Sequence, residues 1–248
     1  MSKLFPPHNI IRKNELDSTN NHALKLIQEA SPSHGTVVLT VNQTKGRGQR
    51  KNYWESEGGK NLTISLILRP EFLPIHLQFG ISKVISLGVA DFLGRYTDNI
   101  SIKWPNDIYV GEKKIAGILI EHSIMGSILS TSVCGIGLNI NQREFLSDAP
   151  NPVSLALLCD KEFDLEECLT QLLEAIETRY QQLEEGQPEL LDQEYLKILY
   201  RKEGYYPYED ANGRFEARIA GISPIGQFVL ETREGDERTY NFKEVKFL

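Results

Sequence analysis

Two hydrophobic periods alternate along this chain of 248 residues. Ala23, Leu24, Leu26, Ile27 and Ala30 recur at three- and four-residue steps, the spacing of one helix face, and Asp17-Ser18-Thr19-Asn20 ahead of them supplies capping side chains. Leu77, Ile81, Val84, Ile85, Val89, Phe92 and Leu93 predict a second helix over 75–95. A third is expected over 164–185, where Asp164 and Glu167 have the spacing of a capping box, and Pro188 can open a fourth. Period-two or β-branched runs predict strands over 9–13, 35–41 and 61–68. In the last of these, Leu62, Ile64, Leu66 and Leu68 alternate with Thr63, Ser65 and Ile67, a strand with one face more buried. Further strands are expected over 100–103, 108–110, 114–121 and 128–136, with Gly111 and Gly126 in the turns. Their turn-length gaps imply antiparallel pairing rather than repeated βαβ crossovers. After Gly204 the pattern is β again, over 214–219, 227–232, 237–242 and 245–247, as in a small barrel. The expected division is therefore 1–200 and 201–248.

Composition narrows the function classes. The chain is 40% hydrophobic and 25% charged, ordinary for a soluble globular protein. A net charge of −7 disfavours nucleic-acid binding by the surface as a whole, so no DNA partner is expected. Cys134, Cys159 and Cys168 are scattered and form no CxxC, against a disulfide framework or a structural metal. No apolar run reaches membrane-spanning length and the first residues carry no long apolar segment, so the expected location is the cytoplasm, with no membrane partner.

Against this acidic background stands a basic, glycine-punctuated loop, Lys45-Gly46-Arg47-Gly48-Gln49-Arg50-Lys51, running on to Trp54. Glycines let backbone N–H groups approach an anion, and Arg47 and Arg50 carry forked donors suited to phosphate or carboxylate. Downstream, Lys103-Trp104-Pro105-Asn106-Asp107 adds a cation, an aromatic ring and a carboxylate able to hold Mg²⁺, and Lys114 adds another cation. Trp54 and Trp104 are both candidates to stack on a purine. Each feature also has a plain reading: a solvated loop, a packed Trp-Pro corner, an Asn-Asp turn. Familiar alternatives fail on spacing. Position 51 is Lys where a dinucleotide fingerprint needs glycine, Gly59-Lys60 lacks the rest of a P-loop, the five histidines have no metal-ligand spacing, and there is no GxSxG elbow.

Taken in order, the motifs resemble those of the biotin protein ligase family, the biotin–[acetyl-CoA carboxylase] ligases. The resemblance rests on Asp17 to Asn20, Gly46-Arg47-Gly48, Lys103 to Asp107, the run Lys114-Ile115-Ala116-Gly117-Ile118-Leu119, and a Gly135-Ile136-Gly137-Leu138-Asn139 turn, and it covers residues 10–248. It implies an α+β fold of the class II synthetase type, a mixed, mostly antiparallel sheet flanked by helices, with an SH3-like C-terminal barrel. It implies ATP with Mg²⁺, biotin as substrate, biotinyl-5′-AMP as intermediate, and a lysine of a biotin carboxyl carrier domain as acceptor. Site roles follow from the same resemblance. Biotin falls to Ser18, Thr19, Asn20, Gln43, Gly46, Arg47, Gly117 and Gly135. The nucleotide falls to Gly48, Gln49, Arg50, Trp54, Lys103, Asn106, Lys114 and Asn139. Lys114, Arg47 and Lys103 serve the chemistry, and Asp107 the metal.

Gln49 departs from the family, which often has arginine there. The motif set begins at Asp17, which leads us to expect a ligase without an N-terminal helix-turn-helix. Exposed strand edges permit a homodimer. Two other readings compete: lipoate or octanoate ligation, for which a head pocket as polar as Ser18, Thr19 and Gln43 is unneeded, and a non-catalytic nucleotide- or partner-binding module.

Overall fold

The computed structural model describes residues 4–48, 53–147 and 151–248. Its first unit is β1 (Ile10–Leu16), α1 (Thr19–Ala30) and β2 (Thr36–Gln43), with β1 and β2 parallel. Ser18 caps α1, its Oγ accepting from Asn21 N at 3.5 Å, and Ser31 ends it in the left-handed region at φ 42°. The remaining strands are β3 (Leu62–Leu68), β4 (Ile100–Lys103), β5 (Asp107–Val110), β6 (Lys113–Met125) and β7 (Ile128–Leu138). They complete a sheet ordered β1-β2-β3-β7-β6-β5-β4, antiparallel beyond the first pair. The mixed, mostly antiparallel sheet agrees with expectation.

One strand differs from its expectation. β3 is buried along its whole length, on both faces. Leu62, Ile64, Leu66 and Leu68 join the main core with α2 (Phe79–Leu93), while Ile67 meets Ala23, Val38 and Val133 beneath α1. Thr63 and Ser65 mark the less buried face in the sequence because polar residues usually do. Here they face α1 and the cavity described below. The predicted helix over 75–95 is in fact one 3-10 turn, Ile75–Leu77, and then α2.

Two further helices cover α2. α4 (Leu165–Glu184) starts at Asp164, whose Oδ1 accepts from Glu167 N at 2.9 Å, and α5 (Pro188–Lys197) carries its proline at the first turn. Gly88 of α2 lets α4 come close, since a Cβ there would lie 2.8 Å from Ile176 Cα. Arg179 ties α4 to Asp91 on α2, at 2.6 Å, and to Glu194 on α5. A five-residue helix, α3 (Leu155–Cys159), is too short to leave a period and was not foreseen.

The C-terminal strands are β8 (Tyr206–Asp210), β9 (Gly213–Ile222), β10 (Phe228–Thr232), β11 (Glu237–Tyr240) and β12 (Lys246–Phe247). They form a second sheet ordered β11-β10-β9-β8-β12. The end strands β11 and β12 do not pair, so the module is an open five-stranded sheet, compatible with the SH3-like module expected but not closed into a barrel. β8 escaped the sequence reading because Pro207 argues against a strand. Its carbonyl nevertheless accepts from Leu248 N at 3.2 Å, and no donor is needed there. The two sheets share a core through Trp104, whose ring stacks on Phe228 with centroids 4.9 Å apart and whose Nε1 donates to Gly226 O at 3.0 Å. The Trp104-Pro105 peptide is cis.

Candidate active site

The parallel pairing of β1 and β2 places the start of α1 beside the end of β2. Lys45 N bonds Asp17 O at 2.8 Å and Thr44 N bonds Leu16 O at 2.9 Å, extending the pairing past both strands. Gln43 is thereby brought to Thr19, whose backbone N–H donates to Gln43 Oε1 at 2.9 Å. Ser18, Thr19, Asn20 and Gln43 are all buried, an uncommon concentration of neutral polar side chains. Asn20 is held from two sides. Its Oδ1 accepts from Ser65 Oγ at 2.6 Å, and its Nδ2 donates to Leu119 O at 3.2 Å and Glu121 Oε2 at 2.8 Å.

Beside this polar group the sheet is stripped of side chains. Gly117 pairs with Gly137 across β6 and β7, and Gly135 pairs with Leu119 and with Ser65 of β3. The indole of Trp54 lies on this floor: a Cβ at Gly137 would come within 2.3 Å of its Cε2 and Nε1, and one at Gly117 within 2.9 Å of its Cζ3. A Cβ at Gly135 would meet Asn20 Oδ1 at 2.3 Å. The glycines thus admit Trp54 and Asn20 to the sheet surface. Gly46 admits the Trp54 backbone, as a Cβ there would sit 2.2 Å from the Trp54 carbonyl oxygen.

Cations line the rest. Arg47 Nη2 pairs with Glu121 Oε1 at 2.8 Å and its Nη1 donates to Asn21 Oδ1 at 2.5 Å, so one carboxylate holds both Asn20 and Arg47. Lys114 Nζ pairs with Asp107 Oδ1 at 2.8 Å and lies 5.6 Å from the centroid of a Trp54 ring. Lys103 stands among three rings, those of Tyr109, Tyr200 and Phe247. Burial pushes the Lys103 pKa down, opposed by nearby Asp107 and helped by Arg201 and Lys114. Asn106 accepts on its carbonyl from Ile118 N at 3.0 Å and donates from Nδ2 to Ile118 O, which fixes the turn after Pro105. Asn139 Nδ2 donates to Val153 O at 3.0 Å. Two buried atoms here, Trp54 Nε1 and Asn139 Oδ1, have no hydrogen-bond partner among the described residues.

One cavity of about 970 Å³ joins these groups, within the range of small-molecule sites. Of the residues singled out in the sequence, Ser18, Thr19, Asn20, Gln43, Arg47, Gly48, Trp54, Lys103, Asn106, Asp107, Lys114, Gly117, Gly135 and Asn139 line it. Gly46 does not. Gln49 and Arg50 lie outside the described residues. Of the two tryptophans, Trp104 has its face against Phe228 and Trp54 lies over the glycine floor.

Sequence reasoning passed over four contributors. Gly137 belongs to the expected Gly135–Asn139 turn, yet Gly135 to Leu138 are in β7, and glycines two apart in a strand signal close approach on one face. Glu121 follows the Lys114 run with no signal of its own. Lys246 and Phe247 enter the wall from the second sheet, which no local pattern could announce.

Asp107 is the expected metal ligand. Among the described residues no group of three His, Cys, Asp or Glu side chains is placed to hold a metal ion. A single carboxylate already beside Lys114 suits Mg²⁺ delivered on a polyphosphate, which keeps water and phosphate ligands, better than a resident ion.

This arrangement has close parallels. The "Bifunctional ligase/repressor BirA" of Bacillus subtilis (strain 168) is 29% identical over 248 residues, covering 94% of this chain and 72% of that protein. The "Biotin--[acetyl-CoA-carboxylase] ligase" of Paracoccus denitrificans is 38% identical over 127 residues, 50% of this chain and 51% of its own. Among solved structures, biotin protein ligase from Aquifex aeolicus in complex with biotin and ATP superposes with a TM-score of 0.79 at 27% identity, covering 97% of this chain and 99% of that one. The model of the biotin/lipoate A/B protein ligase family matches residues 14–139, about half of the chain and the whole stretch from the α1 cap to the end of β7, and the chain belongs to that family.

Proposed function

We propose that the chain activates biotin with MgATP and transfers it to a lysine of a biotin carboxyl carrier domain. The observation that carries this reading is the single cavity that joins a neutral polar end to a cationic end over a glycine floor. A ureido ring needs matched donors and acceptors in a buried pocket, as Ser18, Thr19 and Gln43 provide. A carboxylate brought to a polyphosphate needs cations, as Lys114, Lys103 and Arg47 provide. The unpartnered Trp54 Nε1 and Asn139 Oδ1 also favour a ligand with hydrogen-bonding groups.

In the first step a biotin carboxylate oxygen attacks the α-phosphorus. The bond from that phosphorus to the bridging oxygen breaks and pyrophosphate leaves; Asp107 would be the residue to hold Mg²⁺, which would screen the phosphate charge. Lys114, kept at the cavity wall by Asp107, stabilises charge where carboxylate and phosphate meet. Arg47, held by Glu121, orders the basic loop beside the biotin carboxylate. Trp54 covers the adenine, and Asn106 and Asn139 lie along the nucleotide. In the second step a neutral lysine amine of the carrier attacks the acyl carbon, the bond to AMP oxygen breaks, and the amine's proton passes to solvent. Excluding water protects the mixed anhydride in between. No helix among the described residues is long and apolar enough to cross a membrane, and the proposed setting is the cytoplasm.

The test is label transfer: protein, MgATP, a carrier domain, and biotin or octanoate, read by intact mass of the carrier. A biotin-sized shift that requires ATP is expected. A shift with octanoate alone would move the chain to the lipoyl side of its family. No shift with either from a folded protein that binds ATP would leave a binding module.

A further inference from the structure

We propose that Phe247 is a positioning residue: with Tyr109 and Tyr200 it forms a three-ring seat that holds the Lys103 ammonium at the cavity wall, so that the last strand of the second sheet sets the cation that meets the nucleotide's phosphates. The inference rests on the nucleotide reading above for its kinetic part only.

Lys103 Nζ lies 5.2 Å from the Tyr109 ring centroid, 5.5 Å from Tyr200 and 5.1 Å from Phe247. All three are within the reach of a cation–π contact, and Lys103 is partly withdrawn from water, where such contacts strengthen. Among the described residues no carboxylate stands at ion-pair distance from Lys103, and the nearby Asp107 is paired with Lys114 at 2.8 Å. The rings are therefore its principal partners. Each comes from a different part of the chain: Tyr109 from β5, Tyr200 from the segment after α5, and Phe247 from β12.

Two rings are fixed within the first layer. Tyr200 N donates to Ile102 O at 2.9 Å, its Oη donates to Glu112 Oε2 at 2.5 Å, and its ring lies 5.4 Å from that of Tyr109. Phe247 is fixed by the second sheet. Its strand pairs with β8, and its ring packs against Tyr208 at 5.3 Å and Phe228 at 5.5 Å. Phe228 also stacks on Trp104. Two consecutive residues, Lys103 and Trp104, thus dock on one aromatic cluster of the second sheet, the first by its charge and the second by its face. A lysine stem has four rotatable carbons and presents its charge at one place only if something holds it there. Three rings do so without neutralising the charge, which a carboxylate would do.

The experiment uses the full chain with Phe247→Leu, which keeps an apolar side chain but has no π face, and Phe247→Tyr, which restores one. The first readout is amine labelling of Lys103 by reductive methylation, followed by peptide mass. It needs no catalytic activity, so it stands even if the ligase reading fails. Lys103 is expected to label severalfold faster in Phe247→Leu and at the wild-type rate in Phe247→Tyr. The second readout is steady-state kinetics. Phe247→Leu should raise KM for ATP about five- to thirtyfold, the range of one desolvated cation–π contact, with KM for biotin within about twofold. In a Lys103→Met background the same substitution should add nothing to KM for ATP. Unchanged Lys103 labelling in a folded Phe247→Leu protein would overturn the seat. A full additive effect in the Lys103→Met background would show that Phe247 acts by packing alone and would overturn the positioning role.

Discussion

Gly137→Ala tests the glycine floor directly. The new methyl would lie 2.3 Å from both Cε2 and Nε1 of Trp54 and 2.8 Å from Cζ2. Carbon contacts settle at about 3.5–4.0 Å, so the indole must retreat by more than about 1 Å. Overpacking of this kind costs about 1–3 kcal/mol in stability. If the ring stacks on adenine, losing its seat removes a contact worth about 1–3 kcal/mol, or about five- to 150-fold in ATP affinity. KM for ATP in a pyrophosphate-release assay reads the second effect, and KM for biotin should stay within about twofold. The chain has two tryptophans, so fluorescence in a Trp104→Phe background reports Trp54 alone. Gly221→Ala is the control, since nothing lies within 4 Å of a Cβ there. A Gly137→Ala protein with wild-type KM for ATP and an unmoved Trp54 emission would refute the reasoning.

Four further outcomes are expected. Lys114→Ala should lower pyrophosphate release about a hundredfold or more, as the loss of a transition-state cation does, and near-normal turnover would remove the role given to it. Arg47→Ala should change stability by no more than about 1 kcal/mol, because its pair with Glu121 is only partly withdrawn from water, yet raise KM for biotin; urea melts and biotin kinetics separate the two. Trp104→Phe should cost about 1 kcal/mol through the lost bond to Gly226, and Trp104→Ala about 3–5 kcal/mol, measured by urea denaturation. Stability should fall as pH drops below about 6.5. His34 and His122 are both held below their ordinary pKa, chiefly because burial disfavours the imidazolium. The unfolded chain takes up these protons first, so their contribution is full above the unfolded pKa and is lost as pH falls through the folded one. His34→Gln, which keeps an acceptor for the Arg69 N–H that His34 Nδ1 binds at 2.8 Å, should flatten that slope in urea midpoints from pH 7.5 to 5.5.

Local chemistry was legible where a residue's neighbours in sequence are its neighbours in space. Asp164 capping α4 and Gly111 at φ 57° between β5 and β6 are of this kind. So was the clustering of Ser18, Gln43, Lys103 and Lys114, because motifs can be matched in order without knowing what folds them together. Physical pattern failed where partners are distant. Thr63 and Ser65 are polar yet buried, because α1 covers that face and Asn20 satisfies Ser65. Pro207 hid β8, since the rule against proline in strands assumes that the missing donor is needed. Glu121 gained its place only through Asn20 and Arg47, which are 101 and 74 residues away. The open second sheet carries the alternation of a barrel, and closure depends on whether β11 reaches β12, which alternation does not encode.

The cavity wall draws on residues from Ser18 to Phe247. Synthesis runs from one end, and a growing chain can pair β1, β2 and β3 early, while the glycine floor waits for β6 and β7 and the last of the wall waits for β12. Ser18, Thr19, Asn20 and Gln43 are therefore made first, but Asn20 gains its partners Leu119 and Glu121 only with β6, and Lys103 gains its last ring only with Phe247. Translation order therefore completes the cavity last, at the end of the chain farthest in sequence from where its polar side chains begin.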